Sequence, residues 1–366
     1  ASLTKWTDAY AAMVVSAALI IIVNLTSALI YDLGTGMILG LVATAIFASA
    51  GGAWVISRAA PGEPEAFFTN EGPASQRQAL LLLKVTPVAI IAICTLLGLA
   101  GTGVGWMLIV AGILLLPLGI VSLRATAEIE RKDREIGPFL RSFGAVATST
   151  GATLSEALKQ IDLNSFPNLL MDMKRLGWRF KASIPPALCW KKFSLETGSK
   201  LIGDTITIFF DAIDLGGDAD MVGSLCSQFA TTEVMLRARR KVIASTFSGL
   251  TIVMHAAISG LMIMILQVIR NFTAVIATAA ANMQGQDALR TMQMPMLSFG
   301  SPMLGVLGIL TYVMVVVLAV INAFAIVAAD GGHVLKGTYY LSILLALSGV
   351  SFVIVPPFVN SILKVG

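Results

Sequence analysis

The sequence predicts an all-α polytopic membrane protein: about seven transmembrane helices and one cytoplasmic domain of six helices. Three observations carry this. The 366 residues are 56% hydrophobic and 13% charged, with a mean hydropathy of +0.85, whereas a soluble domain is about 45–50% apolar and about 25% charged. The apolar residues gather into runs near the ~20 residues that a spanning helix needs. The basic residues gather instead into one long segment and a few short loops. The 25 basic and 21 acidic side chains are too few to clothe a soluble surface of this size. A soluble enzyme, a fibrous repeat and a disordered chain are excluded together.

The spans read as 9–31, 37–57, 85–100, 105–123, 243–268, 303–328 and 338–358. The third is short, and Gly101, Gly103 and Gly105 suggest a tight re-entry turn into the fourth. Pro117, Pro356 and Pro357 are tolerable in membrane helices when neighbours satisfy the freed carbonyls. The chain divides into 1–123 (spans one to four, with a cytoplasmic loop at 58–84), a helical domain at 124–242, and 243–366 (spans five to seven). Residues 124–242 carry 17 of the 25 Lys and Arg. With that segment in the cytoplasm, alternation puts Lys5, Arg58, Arg77, Lys84 and Lys336 inside too, leaving Arg270, Arg290 and Lys364 outside. This satisfies the positive-inside rule. The expectation is a multi-pass protein of the cell membrane, N-terminus in the cytoplasm and C-terminus outside.

Catalytic chemistry finds no support. Cys94, Cys189 and Cys226 make an odd set without CxxC spacing, and His255 and His333 are too far apart for a metal site. There is no GxGxxG and no P-loop. No metal, cofactor or catalytic residue is assigned. The small-residue pairs Gly36/Gly40 and Gly101/Gly105 read as close helix packing. Asn24, His255 and Asn322 sit near the middle of different spans, with no buried chain of charges around them. Interhelical hydrogen bonding is the expectation for them, and transport is disfavoured.

The basic segment lacks strand alternation and reads as helices. The first runs over about 125–149, with Phe139, Leu140, Phe143 and Val146 as its apolar stripe, and Gly151 ends it. Thr153 and Glu156 have capping-box spacing for a short helix through Ile161. Ser165 is placed as the cap of the next helix, with Pro167 in its first turn; Leu169, Leu170, Met173 and Leu176 form its buried face and Gly177 ends or bends it. Pro185 and Pro186 open a fourth helix that Gly198 closes. A fifth runs from Ser199 to Leu215, burying Leu201, Ile202, Ile206, Phe209, Phe210 and Ile213. Gly216 and Gly217 turn the chain. The sixth starts near Asp218 and continues without interruption through Arg237, Arg239, Arg240 and Lys241 into the fifth span.

The stretches "FLRSFGAVATSTGATLSEALKQI" and "ALCWKKFSLETGSKLIGDTITIFFDAIDLGGDADMVGSLCSQFATTEVMLRARRKV" resemble the two halves of a type II secretion system F domain. Four spans before the domain, three after it and the "SRAAPGEPEAFF" loop are most similar to the archaellum motor-platform (FlaJ) subfamily. Members usually carry a further cytoplasmic domain before the first span. A chain opening on Ala1 is what removal of such a domain would leave. The resemblance implies a non-enzymatic platform, a homodimer set above a cytoplasmic hexameric secretion-type ATPase. It would pass force to archaellin or pilin-like filament subunits, with membrane lipid and no nucleic acid among its partners. A type IV pilus, Tad or type II secretion platform is the alternative, and a transporter the more distant one.

Under that implication, Arg131, Lys132, Arg134, Lys174, Arg175, Arg179 and Lys181 are candidates for docking acidic patches of the ATPase, or form a headgroup-facing surface. Asp204, Asp211, Asp214, Asp218 and Asp220 could meet basic ones, or serve as helix-surface charge with dipole complementarity at the last two. Arg237, Arg239, Arg240 and Lys241 read as membrane-edge anchors. Met283, Met292, Met294, Met296 and Met303 form a soft outer segment: membrane packing is the default reading, a sliding contact with the filament base the other.

Overall fold

The computed structural model describes residues 3–16, 35–60, 71–151, 153–282 and 301–363, and among them there is helix and no strand. In chain order the helices are α1 (3–16), α2 (Thr35–Ala59), α3 (Ala74–Leu99), α4 (Val104–Thr150), α5 (Leu154–Gln160), α6 (Leu170–Lys181), α7 (Pro186–Thr197), α8 (Lys200–Asp214), α9 (Ala219–Asn282), α10 (Ser301–Asp330) and α11 (Gly337–Leu363). Among the described residues six helices are long and apolar enough to cross a membrane, lying within Val42–Ala59, Ala74–Leu99, Val104–Thr150, Ala219–Val275, Leu304–Asp330 and Val334–Ile362. The expected 9–31 span lies outside the described residues beyond residue 16. So do Asn24 and Met283, Met292, Met294 and Met296, and only the backbone of Met303 is described.

Length separates two of these helices from the rest. At 1.5 Å rise per residue, the 47 residues of α4 reach about 70 Å and the 64 of α9 about 96 Å. A bilayer core is only about 30 Å thick, so both must project far beyond it. The expected fourth span and first domain helix are therefore one helix. The change of composition at Arg124 marks a change of surroundings, because helix propagation follows backbone hydrogen bonds and not side-chain polarity. The third span also starts earlier than expected, at Ala74, and takes in Arg77 and Lys84. Its turn into α4 is confined to residues 100–103, with Gly101 at φ +70°, while Gly105 belongs to α4.

In the bundle, α11 runs antiparallel along α4. A Cβ at Gly105 would come within 2.9 Å of Phe352 Cβ, one at Gly112 within 2.7 Å of the Ser342 carbonyl, and one at Gly119 within 2.6 Å of Tyr339 Cα. This heptad stripe of glycines lets the two backbones touch, the usual means of association where lipid offers no hydrophobic driving force. Gly36 and Gly40, expected in that role, meet nothing within 4 Å. Neutral side chains add a chain of hydrogen bonds across four helices. Tyr10 of α1 donates to Asn322 of α10 at 2.8 Å, Asn322 Nδ2 lies 3.2 Å from His255 Nδ1 on α9, and His255 Nε2 lies 2.8 Å from Ser348 Oγ on α11. His255 and Asn322 thus take the interhelical role expected of them. Many apolar side chains of α3 face outward, Val88 at 68% and Leu99 at 87% exposure, as lipid-facing residues do.

Beyond the bundle, the far halves of α4 and α9 hold α5–α8 around an aromatic core. Phe143 packs on Phe139 (5.3 Å between centroids), Phe209 (5.6 Å) and Trp190 (5.7 Å), with Met173, Leu176, Ile202 and Phe193 also fully enclosed. Local signals set most boundaries here. Gly198 ends α7 at φ +70°, and Ser199 caps α8 by accepting from the Ile202 amide at 3.1 Å. Gly216 turns the chain at φ +89°. Three expectations fail. Thr153 makes no cap bond and its hydroxyl pairs with Ser155 instead. Ser165 lies in a short 3-10 turn (Leu163–Ser165) that Asp162 caps. The Asn168 and Leu169 amides at the start of α6 donate to Glu135 of α4, at 2.9 and 3.1 Å. Gly177 does not end α6, which continues to Lys181.

Candidate functional site

The two long helices meet antiparallel, and their contact is the natural place to look for function. Near its far end α4 has Gly144 and α9 has Gly223; a Cβ on Gly223 would meet the Leu140 carbonyl at 2.6 Å and the Gly144 Cα at 3.2 Å. Toward the membrane the apposition continues as ion pairs. Asp133 accepts from Arg237 at 2.9 Å and Glu130 from Lys241 at 2.7 Å. Asp133 also accepts from the Ser199 hydroxyl, so one carboxylate on α4 joins the start of α8 to α9. It is 4% exposed, and losing either partner would leave charge or hydroxyl uncompensated inside protein.

Nearer the bundle Arg240 donates to the Ala328 and Ala329 carbonyls at the end of α10, both at 2.9 Å. A cation there meets carbonyls that no further helical turn satisfies, together with the negative end of the helix dipole. Gly331, with φ +82°, follows, and Asp330 and Lys336 form a buried ion pair beneath it. The junction is thus a collar fastening α9 to α4 and to the α10–α11 turn. A second network ties α4 to α6 and α7. Lys132 bonds Asp172 at 2.9 Å and Glu128 at 3.4 Å, Arg175 reaches Asp172 at 3.3 Å, and Arg179 pairs with Glu196.

These facts redistribute the charges singled out in the sequence. Lys132 is 6% exposed and bound inside the protein, which removes it from any docking surface. Arg179 is held by Glu196, and Arg175 is split between solvent and its acidic partners. Arg237, Arg240 and Lys241 fasten the collar, whereas Arg239 projects outward. Arg131, Arg134, Lys174 and Lys181 are exposed. So are Asp204, Asp211, Asp214, Asp218 and Asp220, with Asp204 in a loose pair with Lys200 at 4.0 Å and Asp218 capping α9 through the Met221 amide at 2.9 Å. The last four cluster at the α8–α9 turn around Leu215, 89% exposed, and Met221, 69% exposed. Gly151, at φ +58°, ends α4 at the same tip, where Thr148 accepts from the Asp220 amide.

Asp133, Glu130, Glu135, Asp172 and Asp330 escaped the reading of the sequence, and Lys336 entered it only as a basic loop residue. For Lys132 and Asp133 a signal existed: they share the helical face of Ile129, Ile136, Phe139 and Leu140, and charges on an apolar stripe are either paired or functional. Among the described residues no group of three His, Cys, Asp or Glu could hold a metal ion.

Fold and junction together define a helical protein with the features of a multi-pass membrane protein, in which an aromatic-cored group of helices is built on two helices shared with the bundle. Comparison with known proteins narrows the class. Over 131 residues the chain is 28% identical to "Flagella accessory protein J" of Methanocaldococcus jannaschii, covering 36% of this chain and 23% of that protein. It is 23% identical over 247 residues to the protein of the same name from Methanococcus voltae, covering 67% of this chain and 43% of that one. The chain spans less than half the length of either relative. No family model and no solved structure matches it.

Proposed function

We propose that this chain is the membrane platform of an ATP-driven type IV filament machine of the archaellum kind. Its domain, on the cytoplasmic side, takes force from a hexameric ATPase and delivers it through the membrane to filament subunits. The J-protein likeness supports the archaellum over a pilus, Tad or secretion system. The single observation that carries the mechanical reading is the continuity of α4 and α9 from domain to bundle. A push on the domain displaces helices in the bilayer with no loop in between to absorb it. The acidic tip around Leu215 suits an interface, an apolar centre within a polar rim, and a homodimer would offer two such tips to the ATPase ring.

The test breaks the rod and leaves the tip alone. Arg239 is exposed on α9, so Arg239→Ala changes little, whereas Arg239→Pro removes a helix hydrogen bond and kinks the helix. Arg239→Pro is expected to abolish filament formation while still capturing the ATPase in co-purification, and Asp214→Lys with Asp218→Lys to abolish capture. Normal filaments from the proline variant would refute force transmission through α9.

A further inference from the structure

A cavity of about 290 Å³ opens inside the collar, and none of the roles above uses it. Three elements line it: α4 with Glu130, Asp133 and Arg134, α9 from Val234 to Ser245, and the α10–α11 turn with Asp330 and Lys336. Its charge count is decisive. Each of the three acids is already paired, Asp133 with Arg237, Glu130 with Lys241 and Asp330 with Lys336. Arg134 is the remaining charged group, exposed and with no ion pair among the described residues. The lining therefore carries one net positive charge. Arg237 commits one guanidinium nitrogen to Asp133 and retains further N–H donors.

The cavity lies where the apolar run of α4 ends at Leu123 and that of α9 begins at Val242, the depth of lipid headgroups. Val234, Ala238 and Val242 form its apolar wall. A second hollow of about 280 Å³ shares Glu130, Lys241 and Lys336 and extends to Leu123 and Tyr340 on the bundle side. Each hollow sets charged side chains beside apolar ones, Val234, Ala238 and Val242 in the first and Leu123 and Ala127 in the second, as a charged headgroup followed by the start of its chains requires.

We infer that this cavity binds a phosphate-bearing anion, with Arg134 as the charge that selects it and Arg237 and Lys241 as supporting donors. A membrane phospholipid headgroup and free phosphate share that chemistry, and the experiment separates them. The full chain in nanodiscs of neutral phosphocholine lipid is titrated with phosphoglycerol lipid, and retained lipid is counted by native mass spectrometry. Arg134→Gln, at an exposed side chain, is expected to weaken retention about fivefold, as loss of one basic group at a membrane surface does. Arg239→Gln, equally basic but outside the cavity, is expected to leave it unchanged. In the second arm inorganic phosphate is titrated calorimetrically into the delipidated protein. Saturation that Arg134→Gln removes, without selective lipid retention, would assign the site to the free anion. Equal loss in both variants, or selective binding in neither arm, would overturn the proposal and reduce the collar to a diffuse basic surface.

Discussion

The aromatic-cored domain and the apolar bundle share α4 and α9 but are held together by different forces. In the domain, six helices close over a cluster of aromatic rings, and ion pairs such as Lys132–Asp172 bind them where water is excluded. In the bundle, glycines bring α4 against α11, and neutral hydrogen bonds run from Tyr10 to Ser348. The difference follows the solvent. Water drives aromatic side chains together, whereas lipid is as apolar as leucine and leaves close packing and satisfied polar groups as the binding forces. Continuous helices that change their means of attachment halfway are suited to carry displacement from one solvent to the other.

The largest effects should come from the domain core. Phe143→Ala should cost about 3–5 kcal/mol, as large-to-small changes of enclosed aromatics do. Cys189 and Cys226 report it, since both are buried and burial pushes both thiols up, so alkylation in the folded domain is slow. The variant should become reactive at markedly lower denaturant. Asp133→Ala strands Arg237 and Ser199 and should cost about 2–3 kcal/mol, less than a fully buried pair because Arg237 keeps some access to water. A double-mutant cycle with Arg237→Ala should recover part of that loss.

In the bundle the effects should be smaller and of another kind. Gly112→Ala places a methyl against the Ser342 carbonyl and should cost about 2 kcal/mol by overpacking, read from unfolding in mixed micelles. Asn322→Ala, which interrupts the polar chain at its centre, should cost only about 0.6–1 kcal/mol, the usual worth of such bonds between membrane helices. Thr153→Ala should change domain stability by less than about 0.5 kcal/mol, against about 1 kcal/mol for a working cap such as Ser199.

What the sequence revealed and what it hid divide along the same physical line. Features fixed by neighbours in the chain were legible: the Pro185–Pro186 helix start, the glycine turns at 198 and 216, and the inward stripe of α8. Features fixed by distant partners were not. Glu135 caps α6 from 33 positions away, Lys132 is buried because Asp172 meets it, and the stripe Gly105–Gly112–Gly119 gains meaning only once α11 lies beside it. Continuity of α4 was hidden for another reason. The sudden arrival of charge at Arg124 imitates a boundary, yet the backbone ladder passes through it.

Unbroken helix joins domain and bundle through α9, and backbone hydrogen exchange across that junction reads its continuity. For the full chain in nanodiscs, peptides covering residues 234–248 should exchange as slowly as the flanking helix on either side, since every amide there would remain in the ladder. Fast exchange confined to those residues would show a hinge at the membrane edge and contradict rigid transmission.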